Sequence, residues 1–112
     1  MNQNLKQLRK SHHLKLNDLA YIINQDQGNL SSFESGKQSN SKALLAYHTL
    51  FNLSTQNTLS QVFSGGSKLW LDRCFKLVEQ IEAGPNTAAN QMRLEGLHTL
   101  ITNLMKLEGE DE

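Results

Sequence analysis

Leu14-Lys-Leu-Asn-Asp-Leu-Ala20-Tyr-Ile-Ile-Asn24-Gln-Asp-Gln-Gly-Asn-Leu30-Ser-Ser-Phe33-Glu34-Ser-Gly36 is the stretch that decides the fold. Leu16, Leu19, Ala20 and Ile23 recur at helical spacing, so a short amphipathic helix is expected from about Leu16 to Ile23. Asn24 tolerates a left-handed backbone and is expected to stop it. Asp26 is placed to cap a second helix by accepting a hydrogen bond from an amide one turn in. Leu30 and Phe33 then face inward, and Gly36 closes that helix. Two short helices joined by so tight a polar turn can brace one another while the second presents its outer face.

Outward from this pair the pattern stays helical, and no convincing strand appears. A first helix is expected over about Asn4 to Ser11, with Leu5 and Leu8 inward. A fourth is expected from about Ser41 to Phe51, with Leu44, Leu45, Tyr47 and Leu50 apolar. Ser54 can cap a fifth carrying Leu59, Val62 and Phe63. Ser64-Gly-Gly-Ser67 reads as the clearest linker, which divides the chain into an N-terminal domain over 1–63 and a C-terminal unit over 64–112. Ser67 is expected to cap a longer helix through Ala83, stopped by Gly84-Pro85. A last helix is expected from about Thr87 to Leu107. The short connection between these two predicts an antiparallel helical hairpin.

The chain has 112 residues, enough for one domain or one small domain with an appendage. Hydrophobic residues make up 38 % and charged ones 20 %, a balance that suits a globular protein. One proline and seven glycines leave little room for the tight turns of an all-β fold. No apolar run is long enough to cross a bilayer, and Met1-Asn-Gln-Asn-Leu-Lys lacks the apolar core of a signal peptide, so no membrane partner and a cytoplasmic setting are expected. The single cysteine, Cys74, excludes an internal disulfide. Net charge is zero, but residues 1–54 hold six Lys/Arg against three Asp/Glu, and residues 64–112 hold five against eight. A basic N-terminal half points to a polyanion met by that half alone.

From about Leu5 to Ser54 the chain resembles the phage-repressor-like helix-turn-helix family, also called Xre or lambda-repressor-like. Leu8-Arg9-Lys10, Leu19-Ala20, the inward Leu30 and Phe33, and Glu34-Ser-Gly36-Lys37 carry the resemblance, followed by Ala43 to Ser54 as the fourth helix and its exit. The resemblance implies an all-α fold: a lambda-repressor-like five-helix DNA-binding domain, here followed by the C-terminal hairpin, working as a homodimer. It also implies a structural ion pair between Arg9 and Glu34. The chain departs from the family at Leu16, where a phosphate-gripping glutamine is common. His13 and Asn24 stand where glycine is frequent. The loop Lys37-Gln-Ser-Asn-Ser41 lacks the usual proline and much of the positive charge.

Placing Leu30 and Phe33 inward turns the polar residues outward. Gln27, Gly28, Asn29 and Ser32 are the expected base-reading residues on double-stranded DNA. Gln27 or Asn29 can pair bidentately with adenine, Ser32 can bond either kind of base pair, and Gly28 lets the backbone approach. Phosphate contacts are expected from Lys15, Asn17, Lys37, Gln38, Asn40 and Lys42, with Asp18 and Asp26 opposing them. So few cations favour two copies on one duplex. The expected function is a sequence-specific transcriptional regulator, a repressor bound to an inverted-repeat operator.

Other chemistry is thin. His12-His13 and His48 match no zinc spacing, and no metal or cofactor is expected. Cys74 sits on an apolar stripe as a small hydrophobe. No phosphate loop, paired-carboxylate motif or nucleophile elbow is present, so no enzyme is expected. The hairpin exposes apolar surface that must be covered by the N-terminal bundle or by a second copy. The second is favoured, with Trp70, Leu94, Leu97, Ile101 and Leu104 as the dimer seam. The rival function is an adaptor or antitoxin whose C-terminal helices bind a partner protein. Leu16 and the sparse loop cations favour it.

Overall fold

The computed structural model describes residues 2–53 and 66–107. Within them the chain is all-α, with six helices and no strand: α1 (Asn2–Ser11), α2 (Leu16–Ile23), α3 (Gln27–Glu34), α4 (Ser41–Leu50), α5 (Gly66–Ala83) and α6 (Ala88–Leu107). The helix expected from Ser54, with Leu59, Val62 and Phe63, lies outside the described residues. So do Ser64 and Gly65 of the linker and the boundary drawn there. Gly66 and Ser67 belong to α5, which starts slightly before the cap expected at Ser67.

Local chemistry sets the joints. His13 takes a left-handed φ of 61° at the α1–α2 corner. The amide of Lys15 donates to Asp18 Oδ2 at 2.9 Å, so Asp18 reaches back to tie down the start of α2. Asn24, at φ 57° and ψ 53°, closes α2, and the next amide, that of Gln25, donates to Ala20 O at 3.0 Å. Asp26 accepts from the Asn29 amide at 3.0 Å and opens α3. Gly36 closes it at φ 84°, a conformation that other residues adopt only with strain. Asn40 opens α4 by accepting from the Ala43 amide at 3.1 Å. Thr87 opens α6 by accepting from the Asn90 amide at 3.1 Å.

One apolar core runs through the helices. Leu19, Ile22, Leu30, Phe33, Tyr47 and Leu50 from the first part share it with Cys74, Leu77, Leu97, Leu100 and Leu104 from the hairpin. The α5–α6 hairpin packs against α2 and α4, while α3 packs against α1 and α2. This corrects the expected seam. Leu97 and Leu104 are fully buried within a single chain, and Leu94 and Ile101 nearly so. Trp70 packs partly buried against the same cluster. The stripe is covered by the N-terminal helices, which removes the surface it would have offered to a second copy. On α4 the buried face carries Ala43, Ala46, Tyr47 and Leu50, and Leu44 is 40 % exposed. The two alanines, and not Leu44, take inward positions on α4.

Candidate nucleic-acid interface

α3 is held by charge as well as by oil. Arg9 Nε and Nη2 donate to Glu34 Oε2 and Oε1, each at 2.8 Å, in a bidentate pair with both side chains buried. Tyr47 donates its hydroxyl to the same carboxylate, and Arg9 Nη1 donates to Leu14 O at 2.9 Å. The carboxylate at the end of α3 is therefore tied to α1 and to α4. The Glu34 hydrogen bond holds Arg9 above its ordinary value, against the opposing effect of burial. Burial first, then the bond to Glu34, pushes Tyr47 up.

This scaffold leaves a polar strip on the other side of α3. Gln27, Gly28 and Asn29 are exposed, and Ser32 is half-buried. All four expected base-reading residues thus lie on or beside one outward strip, with Gln27 and Gly28 in its first turn. A Cβ on Gly28 would stand 3.0 Å from Asp26 Oδ2, so this glycine keeps room for the cap as well as baring the backbone. Lys37 and Gln38 are exposed just beyond α3, Lys42 in the first turn of α4, and Lys15 and Asn17 at the start of α2.

Two expected roles change. The side chain of Asn40 is taken up by the fold: its Oδ1 caps α4, and its Nδ2 donates to Gln25 Oε1 at 2.7 Å. It braces the α2–α3 turn against α4, which leaves one amide hydrogen at most for a phosphate. Asp18 does not oppose phosphates. It is buried, and Arg93 Nη2 reaches it at 2.7 Å from α6. Asp26 stays exposed at the tip of α3, where it does work against an anion.

The contacts that dock the hairpin were missed from the sequence. Beside Arg93–Asp18, Arg73 Nη1 donates to Tyr21 O at 2.8 Å and its guanidinium lies 5.0 Å from the Tyr21 ring centre. Asn103 Nδ2 donates to Leu50 O at 2.8 Å, closing the end of α4. Gly96 lies so close to the α1–α2 corner that a Cβ would fall 2.1 Å from His12 O. Two signals were legible: an arginine among the apolar residues of α6, and a glycine inside a long helical pattern, which marks close backbone approach.

The hairpin also borders the strip. Ile23, Asn24, Gln25, Asp26, Asn29, Lys42, Leu69 and Trp70 line a half-open groove of about 520 Å³ between the α2–α3 turn and the start of α5. Asn29 belongs to both the strip and the groove. Among the described residues no helix is long and apolar enough to cross a membrane. Comparison with protein-family models, with curated proteins and with solved structures found no match.

Proposed function

We propose that this chain is a sequence-specific DNA-binding transcriptional regulator, a repressor that binds an inverted-repeat operator as a homodimer. Its N-terminal helices are read as a lambda-repressor-like unit. The observation that carries the reading is the division of α3. Leu30, Phe33 and a clamped Glu34 fix one side in the core, and Gln27, Gly28 and Asn29 stand exposed on the other. A helix fixed on one side and polar on the other fits a major groove.

In this reading the first turn of α3 enters the groove. Gln27 or Asn29 pairs with adenine through its N6 and N7 atoms, and Ser32 bonds either kind of base pair. Lys15, Lys37 and Lys42, with Asn17 and Gln38, set the register on the phosphates. Asn40, engaged as cap and brace, adds little to that set, so the phosphate grip is thin. Two copies on one duplex restore it, and occupying a promoter blocks polymerase; that last step rests on analogy with the family alone. The same thin grip favours the rival adaptor or antitoxin, in which the fold serves a protein partner.

Selection from random duplexes tests the proposal. The enriched sequence is expected to be two-fold symmetric, with half-site centres about one helical turn apart or a multiple of it. Enrichment of no symmetric sequence would count against a dimeric reader.

A further inference from the structure

α3 is tied to α4 at both of its ends, by different chemistry. At its C-terminal end the Glu34 carboxylate accepts from Tyr47, and the Phe33 and Tyr47 rings meet edge to face with centres 5.5 Å apart. At its N-terminal end the tie is made by Gln25, just ahead of the helix. Asn40 Nδ2 donates to Gln25 Oε1 at 2.7 Å, and Gln25 Nε2 approaches Asn40 Oδ1 at 3.5 Å. The orientation of this amide clasp is fixed from the α4 side. Asn40 Oδ1 accepts from the Ala43 amide, so Nδ2 is the edge turned to Gln25, and Gln25 must offer its oxygen.

The backbone of Gln25 is held as well. Its amide donates to Ala20 O at 3.0 Å at the end of α2, and Asp26 beside it caps α3 through the Asn29 amide. One residue thus joins the end of α2 to the start of α4, directly ahead of the proposed base readers Gln27 and Asn29. Lys42, a proposed phosphate contact, lies in the first turn of α4 just past Asn40. The clasp therefore sets the spacing between the turn that carries the base readers and the helix start that carries a phosphate contact. Small errors matter here. The eight residues of α3 span about 12 Å, so a tilt of roughly 5° about the Glu34 end displaces the first turn by about 1 Å. That exceeds the range of about 0.5 Å over which a hydrogen bond keeps its length.

We infer that the Gln25–Asn40 clasp positions the first turn of α3 for base selection, so that both are positioning residues that set sequence preference without touching a base. The inference rests on the DNA-binding reading above and deepens it. Binding to any duplex runs on phosphate contacts that adjust one by one. Bidentate contact with adenine instead needs Gln27 or Asn29 in register with those anchors. Loss of the clasp therefore weakens the preferred duplex and spares random ones.

Three variants separate the clasp from the cap and from direct contact with DNA. Gln25→Ala removes the clasp and leaves the α4 cap. Asn40→Ser removes it from the other side, since serine caps as well as asparagine but is too short to reach Gln25. Gln25→Glu keeps an oxygen that accepts from Asn40. Each affinity, for the duplex selected from random sequences and for a random duplex, is measured by fluorescence anisotropy, with amide hydrogen exchange of the free proteins alongside. Gln25→Ala and Asn40→Ser are each expected to lower the ratio of the two affinities about tenfold, within the worth of one bidentate base contact. The double variant is expected to fall no further than either single one, because the same clasp is lost. Gln25→Glu is expected to keep the wild-type ratio even where its added charge weakens both duplexes. In the free proteins the Asn29 and Leu30 amides are expected to exchange faster in Gln25→Ala and Asn40→Ser than in wild type, with the Ser35 amide unchanged. A ratio unmoved by both single variants, losses that add in the double, or a loss in Gln25→Glu equal to that in Gln25→Ala would overturn the inference and leave DNA binding standing. Unchanged exchange at Asn29 and Leu30 would overturn it without reference to DNA. A wild type that prefers no duplex would overturn the DNA reading and the selectivity role with it.

Discussion

Glu34 accepts hydrogen bonds from two side chains on two other helices, and that fixes how far the polar strip of α3 can be disturbed without unfolding the protein. Removing one partner leaves a buried charge uncompensated, at a cost of about 3–5 kcal/mol. This pair was legible because the resemblance placed Arg9 and Glu34 together. The role of Tyr47 was not, since nothing in the spacing of an apolar stripe says that a hydroxyl on it meets a carboxylate. Gln27 is the opposite kind of residue, exposed and free of the core. Gln27→Ala is expected to cost about 1–3 kcal/mol on the preferred duplex and to relax preference at one base pair, with thermal stability unchanged. Equal losses on preferred and random duplexes, measured by fluorescence anisotropy, would move base reading elsewhere. Cys74 and Tyr47 make a separate statement about pH. Burial pushes the Cys74 thiol from 9.0 up to about 12, and Tyr47 is likewise raised above its ordinary 10.0. Each folded value exceeds the unfolded one, so the stabilisation is complete below about pH 9 and is lost as pH climbs through the folded values. Melting temperature is expected to fall between pH 9 and pH 11, and to fall less steeply in Cys74→Ala. Parallel slopes in the two proteins would exclude the thiol as a contributor.

At the scale of the element, caps and turns were readable and docking was not. Asn24, Asp26 and Gly36 act through bonds that span a few residues, and each does what its type predicts. The hairpin was also readable, because Gly84-Pro85 interrupts two long helical patterns. What the hairpin packs against was open, because an apolar stripe says that a face is covered and not by what. Arg93–Asp18, Arg73–Tyr21 and Asn103–Leu50 join residues more than fifty positions apart, so no local pattern announces them. Gly96 tests this docking most cleanly. A methyl group there meets a backbone carbonyl, which cannot swing aside like a side-chain tip. Gly96→Ala is expected to destabilise the chain by about 1–3 kcal/mol in urea denaturation, although alanine is the better helix former. A variant as stable as wild type, or more so, would mean that α6 does not lie against the α1–α2 corner.

For the whole molecule, one continuous core ties the hairpin to the helices that carry the strip, so the two parts move together on any partner. The buried leucines of α6 therefore serve stability. Sequence reasoning favoured a dimer seam for them because large apolar residues on a terminal hairpin read equally as core or as seam. The claim on which everything else depends is that the α3 strip and its flanking lysines meet duplex DNA. Duplex affinity measured across a salt series, for wild type and Lys37→Ala, tests it most directly. Log affinity is expected to fall linearly with log salt, with a slope of about −0.9 for every phosphate neutralised, and Lys37→Ala is expected to flatten that slope by about one unit. No measurable duplex binding even at low salt, or a slope that Lys37→Ala leaves unchanged, would contradict the account.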